Sequence, residues 1–151
     1  MKRLFVFPLL LMIAACATPP PPPPVAATPP PPPPPPVYLV FFDWNSAVVS
    51  PSGREVIGLA ANAYRTGSPV TLQVTGFTDT SGSADYNQQL SVRRANAVAT
   101  VLGQDGVPPG SMVVTGRGEN DLRVPTPDGV REPQNRRVEI VAGGPPPMSM
   151  R

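Results

Sequence analysis

The spacing of apolar and polar residues marks out the folded part of the chain. Val37 to Phe42 is apolar and aromatic and predicts a strand. Pro51 to Thr66 carries Val56, Leu59, Ala60 and Ala63 at helical spacing. Ser50 stands before it as an N-cap, Pro51 suits the first turn, and Gly67 ends it. Thr71 to Thr75 alternates strictly, the pattern of a half-buried strand. Ala84 to Leu102 predicts a long helix with Tyr86, Leu90, Ala97 and Val101 on one stripe and Gly103 close to its end. Met112 to Thr115 and Arg136 to Val141 predict two more strands, with Val138 and Ile140 on one face of the last. Val130 to Gln134 predicts a short helical turn. Strands alternating with helices, and polar Thr71, Gln73 and Thr75 on one sheet face, point to an α/β sandwich over residues 37–142, with the helices on one side.

Both ends of the chain have a different texture. Lys2 and Arg3 precede an apolar run from Leu4 to Ile13, and the small residues Ala14 and Ala15 precede Cys16. This is the layout of a secretory signal covering residues 1–15. The run falls short of the about 20 residues that a membrane-spanning helix needs. Ile13-Ala14-Ala15-Cys16 resembles the lipobox of bacterial lipoproteins. That resemblance implies acylation at Cys16 and, with Ala17 rather than Asp following, residence in the outer membrane with the domain in the periplasm. Several acyl chains anchor stably where one binds only marginally. Pro19 to Pro24 and Pro29 to Pro36 are unbroken proline runs, so residues 16–36 predict a lipidated cysteine on a polyproline II spacer. From Ala17 to Pro36 that spacer would reach roughly 60 Å at about 3.1 Å per residue. The tail, residues 143–151, is expected to be disordered.

Removing the signal changes the charge balance. The chain has 12 basic and 10 acidic residues, but Lys2 and Arg3 fall in the signal, so the remainder is formally neutral and all its cations are Arg. The isoelectric point near 9.1 therefore reflects a removable segment. A nucleic-acid partner, which needs a net basic face, is not expected. One cysteine, assigned to the lipid, and no histidine leave no free thiol and remove the commonest general base and metal ligand.

Candidate chemistry gathers around the second helix. At 100° per residue Arg94 lies about 40° from Leu90, inside the apolar stripe, and Asn87 shares its direction nearly two turns earlier. A guanidinium at a core edge needs a carboxylate, from the protein or from a ligand. Arg136 has the parity of Val138 and Ile140 and so faces the helices, whereas Arg137 and Glu139 face away. Gly76-Phe77-Thr78-Asp79-Thr80-Ser81-Gly82 is a polar loop between strand and helix.

These residues carry a family resemblance. Phe42-Asp43-Trp44-Asn45-Ser46 is similar to an opening Phe-Asp-x-Asn element, and Gly76 to Gly82 to a Gly-His-Thr-Asp-x-x-Gly loop. Asn87 to Ala95 is similar to Asn-x-x-Leu-Ser-x-x-Arg-Ala, Gly116 to Glu119 to Gly-x-Gly-Glu, and Asn135 to Ile140 to Asn-Arg-Arg-Val-Glu-Ile. Five elements in order resemble the OmpA-like domain, shared by outer-membrane protein A, peptidoglycan-associated lipoprotein and flagellar stator proteins. The resemblance implies a four-stranded mixed sheet and non-covalent binding of peptidoglycan through the diaminopimelate of the stem peptide. By position, Asp79 would take the ligand's ammonium and Arg94 its carboxylate. Asn45, Ser81, Asn87 and Arg136 would support them, and Asp43 would brace Arg136 or Arg94. Arg94→Ala is expected to lose affinity while the fold survives. Phe77 stands where the loop's usual histidine would be, and residues 120–134 match the family loosely. The partners implied are peptidoglycan, the outer membrane through the lipid, and periplasmic envelope proteins. The alternative to wall binding is a protein-interaction scaffold of a Tol-Pal-like envelope complex.

Blander readings exist for each residue. Asp79 with Arg94 could be an internal ion pair, Asn87 an exposed helix polar group, and Arg136-Arg137 a solvated strand end. Trp44 reads as packing, and Glu119 and Asp121 as surface charges. An enzyme needs an activated nucleophile or a metal site. No motif here supplies either, so no catalysis, cofactor or metal is expected.

Overall fold

A computed structural model describes residues 34–67 and 71–143. The predicted signal, Cys16, most of the proline spacer and most of the tail lie outside the described residues. The elements are β1 (Val37–Phe41), α1 (Pro51–Thr66), β2 (Leu72–Gly76), α2 (Ala84–Gln104), β3 (Met112–Gly116) and β4 (Arg137–Ala142). A 3-10 turn at Pro109–Ser111 leads into β3. Ser50 caps α1 by accepting from the Gly53 amide at 3.0 Å, and Ser83 caps α2 by accepting from Tyr86 at 3.3 Å.

The sheet is mixed, in the order β1-β4-β2-β3. β4 runs antiparallel to both neighbours, with Val37 opposite Val141 and Gly76 opposite Val138, and β2 and β3 run parallel. β1 and β2 therefore point toward one end of the sheet, where β4 begins. That end collects the loops after β1 and β2 and the long loop before β4.

Both helices cover one face. Val40, Leu72, Val74, Val138 and Ile140 from the strands pack with Ile57, Ala60 and Ala61 of α1 and Ala95, Val98, Val101 and Leu102 of α2. Each larger side chain buried in full contributes roughly 1.5–3 kcal/mol against chain entropy. The stripes are rotated from those predicted. Leu59 is 62% exposed and Tyr86 39%, while Gly53, Ile57 and Ala61 of α1 are buried. Large apolar side chains dominated the predicted stripes. The helices instead approach through their small residues: a Cβ on Gly53 would already lie 3.1 Å from Val40 Cγ1.

Gly76 and Gly116 are register partners at the ends of β2 and β3. A Cβ on Gly76 would overlap the Ser91 carbonyl oxygen, and one on Gly116 would lie 2.5 Å from Ser91 Oγ. These two glycines let α2 cross the strand ends closely enough to bring Arg94 over the loop that follows β2.

Val130 to Gln134 forms no helix; a turn follows at Pro133–Asn135. Its backbone donors are spent elsewhere. Val130 N donates to Thr80 Oγ1 at 3.2 Å and Glu132 N to Asp79 Oδ2 at 3.3 Å. The β3–β4 loop is thereby pinned to the β2–α2 loop. Asn135 closes it from within, exchanging two hydrogen bonds of 2.8 Å with the Val124 backbone. Arg137 does lie on the face away from the helices, yet it is 4% exposed. The same loop and Phe77 of the β2–α2 loop cover it: Nη2 donates to Asp121 O at 3.2 Å, and its guanidinium lies 4.0 Å from the Phe77 ring centroid.

Candidate functional site

At the loop end of the sheet lies a cleft of about 600 Å³. Asn45, Asp79, Ser81, Arg94 and Arg136 all line it. Asp79 is 3% exposed and is held from several sides. Ser81 donates through its hydroxyl at 2.6 Å and its amide at 3.3 Å to Oδ1. Glu132 N and Arg136 Nη1 reach Oδ2 at 3.3 and 3.2 Å. The internal ion pair of Asp79 is therefore with Arg136, whose Nε also donates to the Phe42 carbonyl at 3.1 Å.

Arg94 forms the floor and has no exposed surface. Its Nε, Nη1 and Nη2 donate to the carbonyls of Ser46, Phe77 and Asp43 at 2.8, 3.1 and 3.0 Å. One side chain thus ties the loop after β1 to the loop after β2. Burial lowers its pKa to about 10, against the opposing pull of Asp79, so it remains a cation at neutral pH. A guanidinium has five N–H donors; three are taken here. Asp43 braces Arg94, but through its backbone carbonyl. Truncating Arg94 would strand the Ser46 and Phe77 carbonyls, while that of Asp43 keeps the Ser46 amide at 3.2 Å, so it is expected to cost stability as well as affinity.

Asn87 does not line the cleft. It is 1% exposed and donates to Glu119 Oε2 at 2.7 Å. Glu119 is thus a partner in that contact and not a free surface charge, whereas Asp121 does sit in an exposed ion pair with Arg117 at 2.6 Å. Asn45 holds φ at 50° and accepts from the Tyr86 hydroxyl.

The mouth of the cleft holds residues that periodicity and motif position missed. Trp44, Tyr86, Gly129 and Arg131 all line it. Trp44 is 49% exposed and donates from Nε1 to Ser81 Oγ at 3.2 Å. The Arg131 guanidinium lies 3.7 Å from the Trp44 ring centroid. Exposed tryptophan beside a motif asparagine was the available signal, since a large apolar ring left wet seldom serves packing alone.

The cleft, its loops and the sheet order can be set against known proteins. The model of the OmpA family matches residues 41–136. This chain belongs to the OmpA family. An outer membrane protein of Gluconacetobacter diazotrophicus is 44% identical over 110 residues, covering 69% of this chain and 29% of that one. The chain spans about half or less of the length of the curated relatives it matches. Among solved structures, the peptidoglycan-associated lipoprotein from Burkholderia pseudomallei aligns at a TM-score of 0.65 and 26% identity, over 70% of this chain and 90% of that one. The OmpA-like domain of FopA1 from Francisella tularensis aligns at 0.62 and 26%, over 70% of each chain. The mixed sheet with helices is the architecture of these OmpA-like neighbours. Of the cleft-lining residues named above, Trp44 and Asn45 follow β1, Asp79 and Ser81 lie between β2 and α2, and Tyr86 and Arg94 stand on α2; Gly129, Arg131 and Arg136 come from the β3–β4 loop, residues 117–136, which lies within the family match. Phe77, in the place of the loop's usual histidine, is 5% exposed and serves as the platform under Arg137.

Proposed function

We propose that this OmpA-family domain binds peptidoglycan without catalysis, through the diaminopimelate end of an uncrosslinked stem peptide. The observation that carries this reading is one carboxylate and two guanidiniums converging in a single cleft, Asp79 with Arg94 and Arg136. A ligand end bearing an ammonium beside a carboxylate meets both signs there, and each sign repels its like. Asp79 takes the ammonium. Arg94 receives the carboxylate on its two remaining N–H groups, and Arg136 and Ser81 hold Asp79 in place. Asn87 acts behind the cleft and Asn45 in its wall, both fixing the loops. Acylation at Cys16 would hold the chain in the outer membrane and leave the domain in the periplasm, so that binding ties membrane to wall. A relative whose name includes peptidoglycan-associated lipoprotein supports both halves.

The test is co-sedimentation of the purified full chain with wall sacculi. Sedimentation is expected, with release by excess free diaminopimelate-containing stem peptide. Sedimentation that excess stem peptide does not release would refute the reading; no sedimentation at all would refute it too and leave the envelope-scaffold alternative.

A further inference from the structure

We infer that Arg131, shelved on Trp44 at the mouth of the cleft, is a second carboxylate-binding position, so that the domain discriminates stem peptides by whether a further carboxylate is free or amidated. This rests on the stem-peptide reading above. Three guanidiniums line the cleft, from Arg94, Arg131 and Arg136, against one carboxylate, that of Asp79. The charge is therefore unbalanced toward an anion, and the three cations are not equivalent. Arg94 gives three of its five donors to carbonyls and the rest to the first carboxylate, and Arg136 donates to Asp79 and the Phe42 carbonyl. Arg131 is exposed and takes part in none of the ion pairs among the described residues. The arginine side chains that donate hydrogen bonds there, beside the Arg117 ion pair, are those of Arg65, Arg94, Arg136 and Arg137.

Arg131 is nevertheless held. Stacking on an indole fixes the plane of a guanidinium while leaving its N–H edge free for a bidentate carboxylate, which a lysine could not reproduce. The shelf is fixed too, because Trp44 Nε1 donates to Ser81 Oγ and Ser81 donates to Asp79. The loop bearing Arg131 is pinned by Gly129 N donating to Thr80 O at 2.8 Å. Indole, serine and Asp79 thus form one linked path, setting the second position at a fixed offset from the first. A single amino acid offers one carboxylate beside its ammonium. A stem peptide carries others, on the D-glutamyl residue and at its C-terminus.

The experiment is calorimetric titration of the full chain in detergent with three synthetic probes. One is the tripeptide L-Ala-γ-D-Glu-meso-diaminopimelate with all carboxylates free. The others carry an amide on the D-glutamyl α-carboxylate or on the C-terminal carboxylate. One amidation is expected to weaken wild-type binding by about fivefold, the upper end for an exposed ion pair, and it identifies the carboxylate concerned. Arg131→Ala is expected to bind the free probe about fivefold more weakly and to ignore that amidation. Trp44→Ala is expected to behave in the same direction. Wild type that binds all three probes equally overturns the inference while the stem-peptide reading stands. So does an Arg131→Ala protein that discriminates like wild type. Wild type that binds none of the probes overturns both.

Discussion

Replacing Asp79 by asparagine separates the two roles open to that residue, structural brace and ligand contact. The side chain keeps its shape but loses its charge and one acceptor. With its oxygen turned toward Glu132 N and Arg136, the new amide can donate to Ser81 Oγ, and only the bond from the Ser81 amide is lost. With the oxygen turned toward Ser81, the amide opposes two donors. The first orientation is therefore adopted. The remaining cost is the charge partner of Arg136, whose side chain is 12% exposed against 4% for Asp79. That amounts to about 2–3 kcal/mol, less than the 3–5 kcal/mol of deleting one member of a fully buried pair. Arg136→Gln is expected to cost about 1–2 kcal/mol, because Asp79 retains its other donors. Combined, the two should be less damaging than their sum by about 1.5 kcal/mol. Urea melts can follow this through Trp44, the only tryptophan in the chain, whose indole touches Ser81. Binding should behave differently. Asp79→Asn is expected to lose at least about thirtyfold in stem-peptide affinity, with no recovery in the double variant. A double variant that binds within about threefold of wild type would reduce Asp79 to a brace. Strict additivity of the two stability changes would refute the ion pair as an energetic unit.

Gly76→Ala is expected to destabilise the fold by about 3 kcal/mol or more, because its Cβ meets backbone of α2, as a urea midpoint will show. Gly58→Ala, in α1 with nothing within 4 Å of its Cβ, is expected to stabilise by roughly 0.5–1 kcal/mol in the same assay. Arg94→Met is expected to lower stability by about 2–3 kcal/mol by stranding the Ser46 and Phe77 carbonyls, and to abolish calorimetric binding even at temperatures where the fold is intact. Cys16→Ser is expected to leave the precursor unprocessed and unlabelled by radioactive fatty acid; normal labelling would exclude the lipoprotein assignment.

The element order and the mixed sheet were legible because strand alternation, N-caps and breakers agree with one another along this chain. Boundaries moved by a residue or two, as at β2 and at the end of α2. The buried arcs were misread where small residues carry the packing, since Gly53 and Ala61 give no weight to an apolar stripe and Leu59 gives too much. Motif position placed Asn45, Asp79, Ser81, Arg94 and Arg136 together, and the cleft contains all five. It placed Asn87 there as well, but seven residues of helix fix a direction and not a depth, and Asn87 turns to Glu119 instead. Trp44 and Arg131 stayed hidden because their meeting depends on a loop of 20 residues whose course is set by hydrogen bonds to Thr80 and Asp79. Strand parity gave Arg137 the correct face but could not show that this loop would bury it.

The direction of β1 has a mechanical consequence. The chain enters the sheet at Val37, beside the end of β4, while the cleft sits at the opposite end of the same strands. Under the proposed role, tension between membrane and wall pulls on Val37 from one end and on the bound peptide from the other. That load runs along β1 and is resisted by its ladder to β4 in shear, with the hydrogen bonds from Val37 to Phe41 strained together. A chain that entered beside the cleft would instead be peeled away one bond at a time. The polarity of a single edge strand thus makes the domain a stronger mechanical link than its modest size suggests.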